Sequence, residues 1–192
     1  MGQHIIYFIR HGQYVTDTSQ AMAGHLTRLG RRQAKRTAKR LAELPISAIY
    51  HSDMTRAKET AAIIAEAMPR VPMHSARVLR EMTPPVPSRL RRLWGKESSG
   101  VQSGVAQAEA LLKRFFKPCR TKENRVDVLV AHGNLIRYVV RRLLRDKPES
   151  WLSLGTSNCG VTVLVVGKDV TARYLISYND VGHLPLELQS MM

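Results

Sequence analysis

Two cysteines, Cys119 and Cys159, are all this sequence contains, and no Cys-x-x-Cys pair occurs. Their scarcity argues against a disulfide scaffold and a cysteine-based zinc site, and fits a reducing compartment. No apolar run approaches the roughly 20 residues that a membrane helix needs. The longest, 4–9 and Val161–Val166, are strand-sized. The first leads straight into Arg10-His11 without a cleavage site, so no signal peptide is read and a cytoplasmic protein is expected. Acidic residues are scarce too: 15 Asp and Glu stand against 30 Lys and Arg, a net charge of +15. Such a chain attracts anions, whether phosphorylated substrates, nucleic acid or acidic lipid, and composition alone does not choose among them. With 44% hydrophobic residues the chain is not disordered, and 192 residues are the length of one domain, expected to span 1–192.

What is present alternates between two periods. Residues 4–9, 46–50 and 126–131 are short apolar runs, as in strands buried on both faces. Residues 28–43, 54–68, 101–116 and 134–144 carry apolar positions at helical spacing, and Pro45 and Pro69 stop the first two. A weak strand is read within 73–79 and a helical turn at 148–152. Residues 160–166 and 170–176 form a hairpin around Gly167-Lys168-Asp169. Thr83-Pro84-Pro85-Val86-Pro87-Ser88 cannot be regular, because its prolines remove backbone donors. Strands alternating with helices predict a layered α/β domain with a largely parallel sheet.

Two predicted strands end alike, one in Arg10-His11-Gly12 and the other in His132-Gly133. Ligands of open α/β sheets bind beyond the carboxyl ends of the strands. If these strands are neighbours, His11 and His132 face one crevice. The helix after Gly133 then aims its first N–H groups at the same place, which favours an anion. Arg56, in the first turn of the helix after His51-Ser52-Asp53, is a cation at the wrong end of a helix dipole unless it serves a bound anion. Glu81, before the proline-rich loop, becomes interesting only if it reaches the crevice.

Taken in order, Arg10-His11-Gly12, Leu26-Thr27-x-x-Gly30-x-x-Gln33-Ala34, Ser52-x-x-x-Arg56-Ala57-x-x-Thr60-Ala61, Glu81 and Ala131-His132-Gly133-Asn134-x-Ile136-Arg137 resemble the histidine phosphatase, or phosphoglycerate mutase-like, superfamily. The similarity runs from Ile5 to about Pro185. Within that group, His11-Gly12-Gln13-Tyr14, Leu79-Arg80-Glu81 and Pro148-Glu149-Ser150-Trp151-Leu152 are most similar to its protein-serine/threonine phosphatases found in mitochondria. The amino-terminal extension of those proteins, with its membrane segment and assembly motif, is missing here. Mitochondrial anchoring is therefore not expected to carry over.

The resemblance implies a three-layer α/β/α sandwich with a mostly parallel sheet, and a phosphatase without metal or cofactor. It implies His11 as nucleophile, forming a phosphohistidine. Arg10, Arg56 and His132 neutralise the phosphoryl oxygens, and Gly12 and Gly133 line the phosphate site. Glu81 protonates the leaving oxygen, which requires a raised pKa. The expected partner is a phosphorylated substrate, with phosphoserine or phosphothreonine proteins favoured over a mutase reaction. The alternatives are a phosphohistidine phosphatase of a phosphorelay protein and a non-catalytic module for phosphorylated or polyanionic partners.

Seven of the residues 28–40 are Lys or Arg, read as a solvated helix face. Arg89, Arg91 and Arg92 are expected to rim the pocket and steer phosphorylated substrates, with Trp94 anchoring their loop. No nucleic-acid-binding pattern is present, so nucleic acid is not the expected partner. Leu184, Leu186 and Leu188, with exposed sheet edges, are the features through which two copies would pair as a homodimer.

Overall fold

The computed structural model describes residues 2–19, 24–86, 101–169 and 172–191. The expectations for Arg89, Arg91, Arg92 and Trp94 lie outside the described residues. The strands are β1 (His4–Arg10), β2 (Ala48–His51), β3 (Met73–Ser75), β4 (Arg125–Ala131), β5 (Val161–Val166) and β6 (Arg173–Asp180). The helices are α1 (Arg28–Leu41), α2 (Thr55–Glu66), α3 (Val101–Phe115) and α4 (Gly133–Leu143). The six strands form one sheet in the order β3-β2-β4-β1-β5-β6. The first four in that order run parallel, β5 is antiparallel to β1, and β6 is antiparallel to β5.

The central strands are the most apolar because helices cover both of their faces. On one face, Ile9, Val128 and Val130 meet Ala38 and Leu41 of α1 and Ala57, Ala61 and Ile64 of α2. On the other, Ile6, Phe8 and Leu129 meet Leu111 and Phe115 of α3 and Leu135 and Val139 of α4. Three layers result, as expected. Among the described residues no helix is long and apolar enough to cross a membrane.

Several boundaries differ from the sequence reading. Helix α1 ends at Leu41 rather than at residue 43. Pro45 disfavours helical geometry at Leu44, and the chain turns, with Leu44 N–H donating to Leu41 O. The weak strand at 73–79 is a three-residue strand followed by a 3₁₀ turn, Arg77–Leu79, that buries Leu79. The last strand, Arg173–Asp180, runs past the expected end at residue 176, and the expectation for residues 170 and 171 lies outside the described residues. Gly167 N–H closes the hairpin on Ala172 O, which pairs Val166 with Arg173.

The pairing surface expected at the carboxyl terminus is corrected as well. Leu184 and Leu188 are buried with Leu26, Ala34 and Ile63, and only Leu186 is exposed. Gln33 Nε2 donates to Leu188 O at 2.8 Å and to Ser190 Oγ at 2.9 Å, so the terminal segment is tied to α1.

Candidate active site

Strands β1 and β4 are parallel neighbours, with Arg10 opposite Ala131. The residues that follow them, His11 and His132, therefore emerge side by side at the carboxyl edge of the sheet, ring centroids 5.0 Å apart. Both imidazoles are buried. Arg56 reaches them from the first turn of α2, and its Nε donates to His11 Nε2 at 3.0 Å. Arg10 is buried too, and its Nη1 donates to Thr156 O at 2.5 Å. Sequence reasoning thus named four side chains that the fold brings together.

The tautomer of His11 follows from its partners. Its Nδ1 lies 2.8 Å from Gly12 O, which can only accept, so the ring proton is on Nδ1 and the lone pair is on Nε2. Burial, helped by repulsion from Arg56 and Arg10, lowers the His11 pKa to about 3, against the pull of the Gly12 hydrogen bond. His132 falls to about 2 through burial, then repulsion from His11, Arg56 and Arg10. Both rings are therefore neutral near pH 7. His132 Nε2 lies 2.9 Å from Ser52 Oγ, which also accepts from Met54 N–H at 3.3 Å. With the Ser52 hydroxyl as donor to Nε2, the His132 ring proton stands on Nδ1. Among the described residues nothing pairs with that Nδ1. The pocket thus holds one nitrogen lone pair surrounded by N–H donors on Arg56, Arg10 and His132.

Glu81 joins this group by an unexpected route. Its Oε1 accepts from Met82 N–H and Leu135 N–H, both at 3.1 Å, and its Oε2 accepts from Asn134 N–H at 3.4 Å. The first N–H groups of α4 hold this carboxylate, which corrects the expectation that they face the substrate anion. A helix N-terminus favours whichever negative charge lies against it, and here the chain supplies its own. Burial raises the Glu81 pKa, with those backbone hydrogen bonds and Arg56 working against the rise. The segment is braced by Arg80, bidentate to Asp53 at 2.5 and 2.7 Å, and by Trp151 Nε1 donating to Pro85 O at 3.0 Å.

Two glycines at this edge permit close approaches. A Cβ on Gly12 would meet Gly30 O at 2.6 Å, so the bare backbone admits the start of α1. Gly12 N–H is used by Thr60 Oγ1 at 3.0 Å. A Cβ on Gly133 would meet Thr156 Oγ1 at 2.8 Å, so this glycine makes room for the Thr156 side chain, with Arg10 Nε at an ordinary contact distance of 3.5 Å.

Sequence reasoning also left several supporting residues without a task. Tyr14 lies under Arg56, whose Cζ is 4.6 Å from the ring centroid, and sets its edge against His11. Asn158 Nδ2 donates to His11 O at 3.1 Å, and Cys159 N–H to Arg10 O at 3.0 Å. Ser52, Thr60 and Tyr14 stand inside the motifs quoted above, which was the signal available for them. Asn158 had none, because its partner is 147 residues away.

Comparison with known proteins agrees with this geometry. Residues 6–87 and 86–180 match the family model of the Histidine phosphatase superfamily (branch 1). The mitochondrial serine/threonine-protein phosphatase PGAM5 of Mus musculus is 36% identical over 184 residues, covering 94% of this chain and 64% of the relative. Pgam5 of Drosophila persimilis is 37% identical over 193 residues, covering 96% of this chain and 65% of the relative. This chain thus spans slightly under two thirds of their length. A phosphoglycerate mutase of Plasmodium falciparum superposes with a TM-score of 0.67 at 28% identity, covering 97% of this chain and 96% of that one. A mutant phosphoserine phosphatase of Entamoeba histolytica, in complex with phosphoserine, shares the fold, with a TM-score of 0.72 at 23% identity over 95% of this chain and all of that one. The matched PGAM5 relatives are named mitochondrial, which overturns the expectation of a cytoplasmic protein.

Proposed function

The chain belongs to the histidine phosphatase superfamily, and from that premise we propose that it hydrolyses phosphomonoesters through a phosphohistidine at His11. The observation that carries this reading is the His11 Nε2 lone pair. Its tautomer is fixed by Gly12 O, and it stands within 3.0 Å of an arginine N–H. A neutral imidazole is a nucleophile, and a proton on Nε2 would end that role.

In the first step Nε2 attacks phosphorus, the N–P bond forms, and the bond from phosphorus to the ester oxygen breaks. Arg10, Arg56 and the Nδ1–H of His132 hold the three phosphoryl oxygens, where charge is greatest. Arg56 exchanges its bond to Nε2 for one to a phosphoryl oxygen as the substrate enters. Glu81 gives its proton to the leaving oxygen. Its Oε2, with only one 3.4 Å contact from a backbone N–H, is the freer of the two oxygens to carry that proton. In the second step Glu81, now ionised, takes a proton from water. The water oxygen attacks phosphorus, the N–P bond breaks, and inorganic phosphate leaves with His11 restored.

The substrates we propose are phosphoserine and phosphothreonine in proteins, on the strength of the relatives named serine/threonine-protein phosphatases. Two guanidiniums supply the positive charge at the phosphoryl group, so this scheme uses no metal. The test is p-nitrophenyl phosphate turnover with and without excess EDTA, followed by a panel of phosphoserine, phosphothreonine and phosphohistidine peptides. Undiminished turnover in EDTA, with phosphoserine and phosphothreonine peptides preferred, is expected. Activity that EDTA removes and Mg²⁺ or Mn²⁺ restores would overturn the scheme. A preference for the phosphohistidine peptide would overturn the substrate class alone.

A further inference from the structure

Among the described residues the Arg56 guanidinium is held by neutral groups alone. Its Nε donates to His11 Nε2 at 3.0 Å, and its Nη2 lies 3.8 Å from Met54 Sδ. Its flat face rests on Tyr14, with Cζ 4.6 Å from the ring centroid. No described carboxylate forms an ion pair with it. Arg80, at the same edge, is the opposite case, because Asp53 grips it with two hydrogen bonds. One arginine here is fixed, and the other is free to change partners.

Tyr14, beneath that guanidinium, is well anchored. Its backbone bridges Leu26, and its side chain packs against the cluster of Leu26, Ala34 and Ile63. Leu26 N–H donates to Glu59 Oε2 at 2.9 Å, and His25 Nδ1 lies 2.7 Å from Glu59 Oε1. Glu59 and Ile63 stand one and two turns along α2 from Arg56, on the same side of the helix. The helix that carries the guanidinium therefore also holds the ring beneath it. The same ring sets its edge against His11, with centroids 5.2 Å apart and planes at 83°. Tyr14 touches the nucleophile and the cation at once, and both contacts are made by its ring.

In the free protein the Arg56 N–H occupies the lone pair that has to attack phosphorus. An entering phosphoryl group draws that N–H away, and the cation has to move without leaving the pocket. A carboxylate partner would hold the guanidinium through directional N–H bonds and oppose the move. An aromatic face attracts the cation yet takes none of its N–H donors, and the attraction persists while the cation stays within roughly 6 Å of the ring centroid. We propose that Tyr14 is a positioning residue: its ring is the platform on which the Arg56 guanidinium passes from the His11 lone pair to a phosphoryl oxygen. Tyr14 has this use only if the phosphoryl group goes to His11, as proposed above, whereas its hold on Arg56 does not depend on that reaction.

The experiment is a double-mutant cycle on Tyr14 and Arg56. It is read by isothermal titration calorimetry with inorganic phosphate and by single-turnover phosphorylation with p-nitrophenyl phosphate. Tyr14→Leu is expected to weaken phosphate binding at least ~5-fold and to slow phosphorylation at least ~10-fold. In an Arg56→Ala background the same replacement is expected to change each by less than about 2-fold, because the group it supported is gone. Tyr14→Phe, which keeps the ring, recovers both to within about 3-fold of the wild type. If Tyr14→Leu does not fold, Tyr14→Met, of similar size and more adaptable, takes its place in the cycle. Equal losses with and without Arg56 overturn the proposal, since a ring that only fills space is needed in either background. Wild-type binding and turnover in Tyr14→Leu overturn it too, as does a Tyr14→Phe variant as impaired as Tyr14→Leu. Coupling in phosphate binding, in a protein that forms no phosphohistidine, keeps the hold of Tyr14 on Arg56 and overturns the reaction at His11 instead.

Discussion

Strands β1 and β4 bear buried histidines at both ends, in opposite company. At the amino edge, His4 Nε2 lies 2.9 Å from the Asp127 carboxylate. At the carboxyl edge, His11 and His132 face each other and the guanidiniums of Arg56 and Arg10. At the carboxyl edge, burial first and then those guanidiniums disfavour the protonated rings. The same residue type, on the same pair of strands, is held at one edge against a buried carboxylate and at the other among guanidiniums that leave a lone pair for nucleophilic attack. The strand ends decide where a histidine stands, and the residues across the loop decide what it does there.

The largest expected effect separates the two edges outright. His11→Ala lowers turnover of p-nitrophenyl phosphate by at least ~10³-fold, because no N–P bond can form. His4→Ala leaves kcat and KM within about 2-fold. It costs about 1–3 kcal/mol in urea unfolding, since Asp127 Oδ2 loses a buried partner. Comparable losses of turnover in both variants would mean that the carboxyl edge has no special role.

Next in size is Glu81, which sharpens the comparison within the catalytic edge. Single-turnover phosphorylation of Glu81→Gln should fall by about 10²–10⁴-fold with a phosphoserine peptide, and far less with p-nitrophenyl phosphate, whose leaving oxygen needs no proton. The acid form is the active one in this step. In the wild type the peptide rate therefore falls as pH rises through the elevated Glu81 pKa, and the Gln variant lacks that limb. Equal losses with both leaving groups would remove Glu81 from the acid's role.

How much of this was legible in the sequence depended on chain distance. The ends of β1 and β4 were readable because each strand is an apolar run stopped by a His-Gly pair, and parallel pairing then put His11 beside His132. Arg56 was legible as a cation at the wrong end of a helix. What Gly12, Gly133 and Glu81 do was not, because each depends on something far along the chain. Gly12 admits Gly30, Gly133 admits Thr156, and Glu81 reaches Leu135 across 54 residues. The burial of Leu184 and Leu188 was hidden for the same reason. An apolar residue near a terminus reads as exposed until the groove that takes it is known.

The smallest expected effect is in stability against pH. The unfolded chain protonates His11 and His132 near pH 6.5, whereas the folded chain does so only near 3 and 2. Between those values the unfolded state binds more protons. The stability contributed by the two neutral rings is thus fully present above pH 6.5 and is lost as the pH falls. Each histidine contributes about 1.4 kcal/mol per pH unit in that window, and His11→Asn should reduce the slope by that amount. Urea unfolding at pH 7, 6 and 5 measures it, and an unchanged slope in the variant would show that His11 titrates normally in the folded protein.

The central claim is that His11 Nε2 is the atom that carries the phosphoryl group. Rapid mixing with excess p-nitrophenyl phosphate, alkaline quenching and peptide mapping by mass spectrometry test it most directly, with ³¹P NMR of the trapped protein to identify the phosphorylated nitrogen. The account predicts one acid-labile, base-stable phosphoryl group, on His11 at Nε2, because Nδ1 keeps its proton on Gly12 O. It also predicts no such adduct in His11→Ala. A phosphoryl group at Nδ1 or on another residue, or full turnover in His11→Ala, would contradict it.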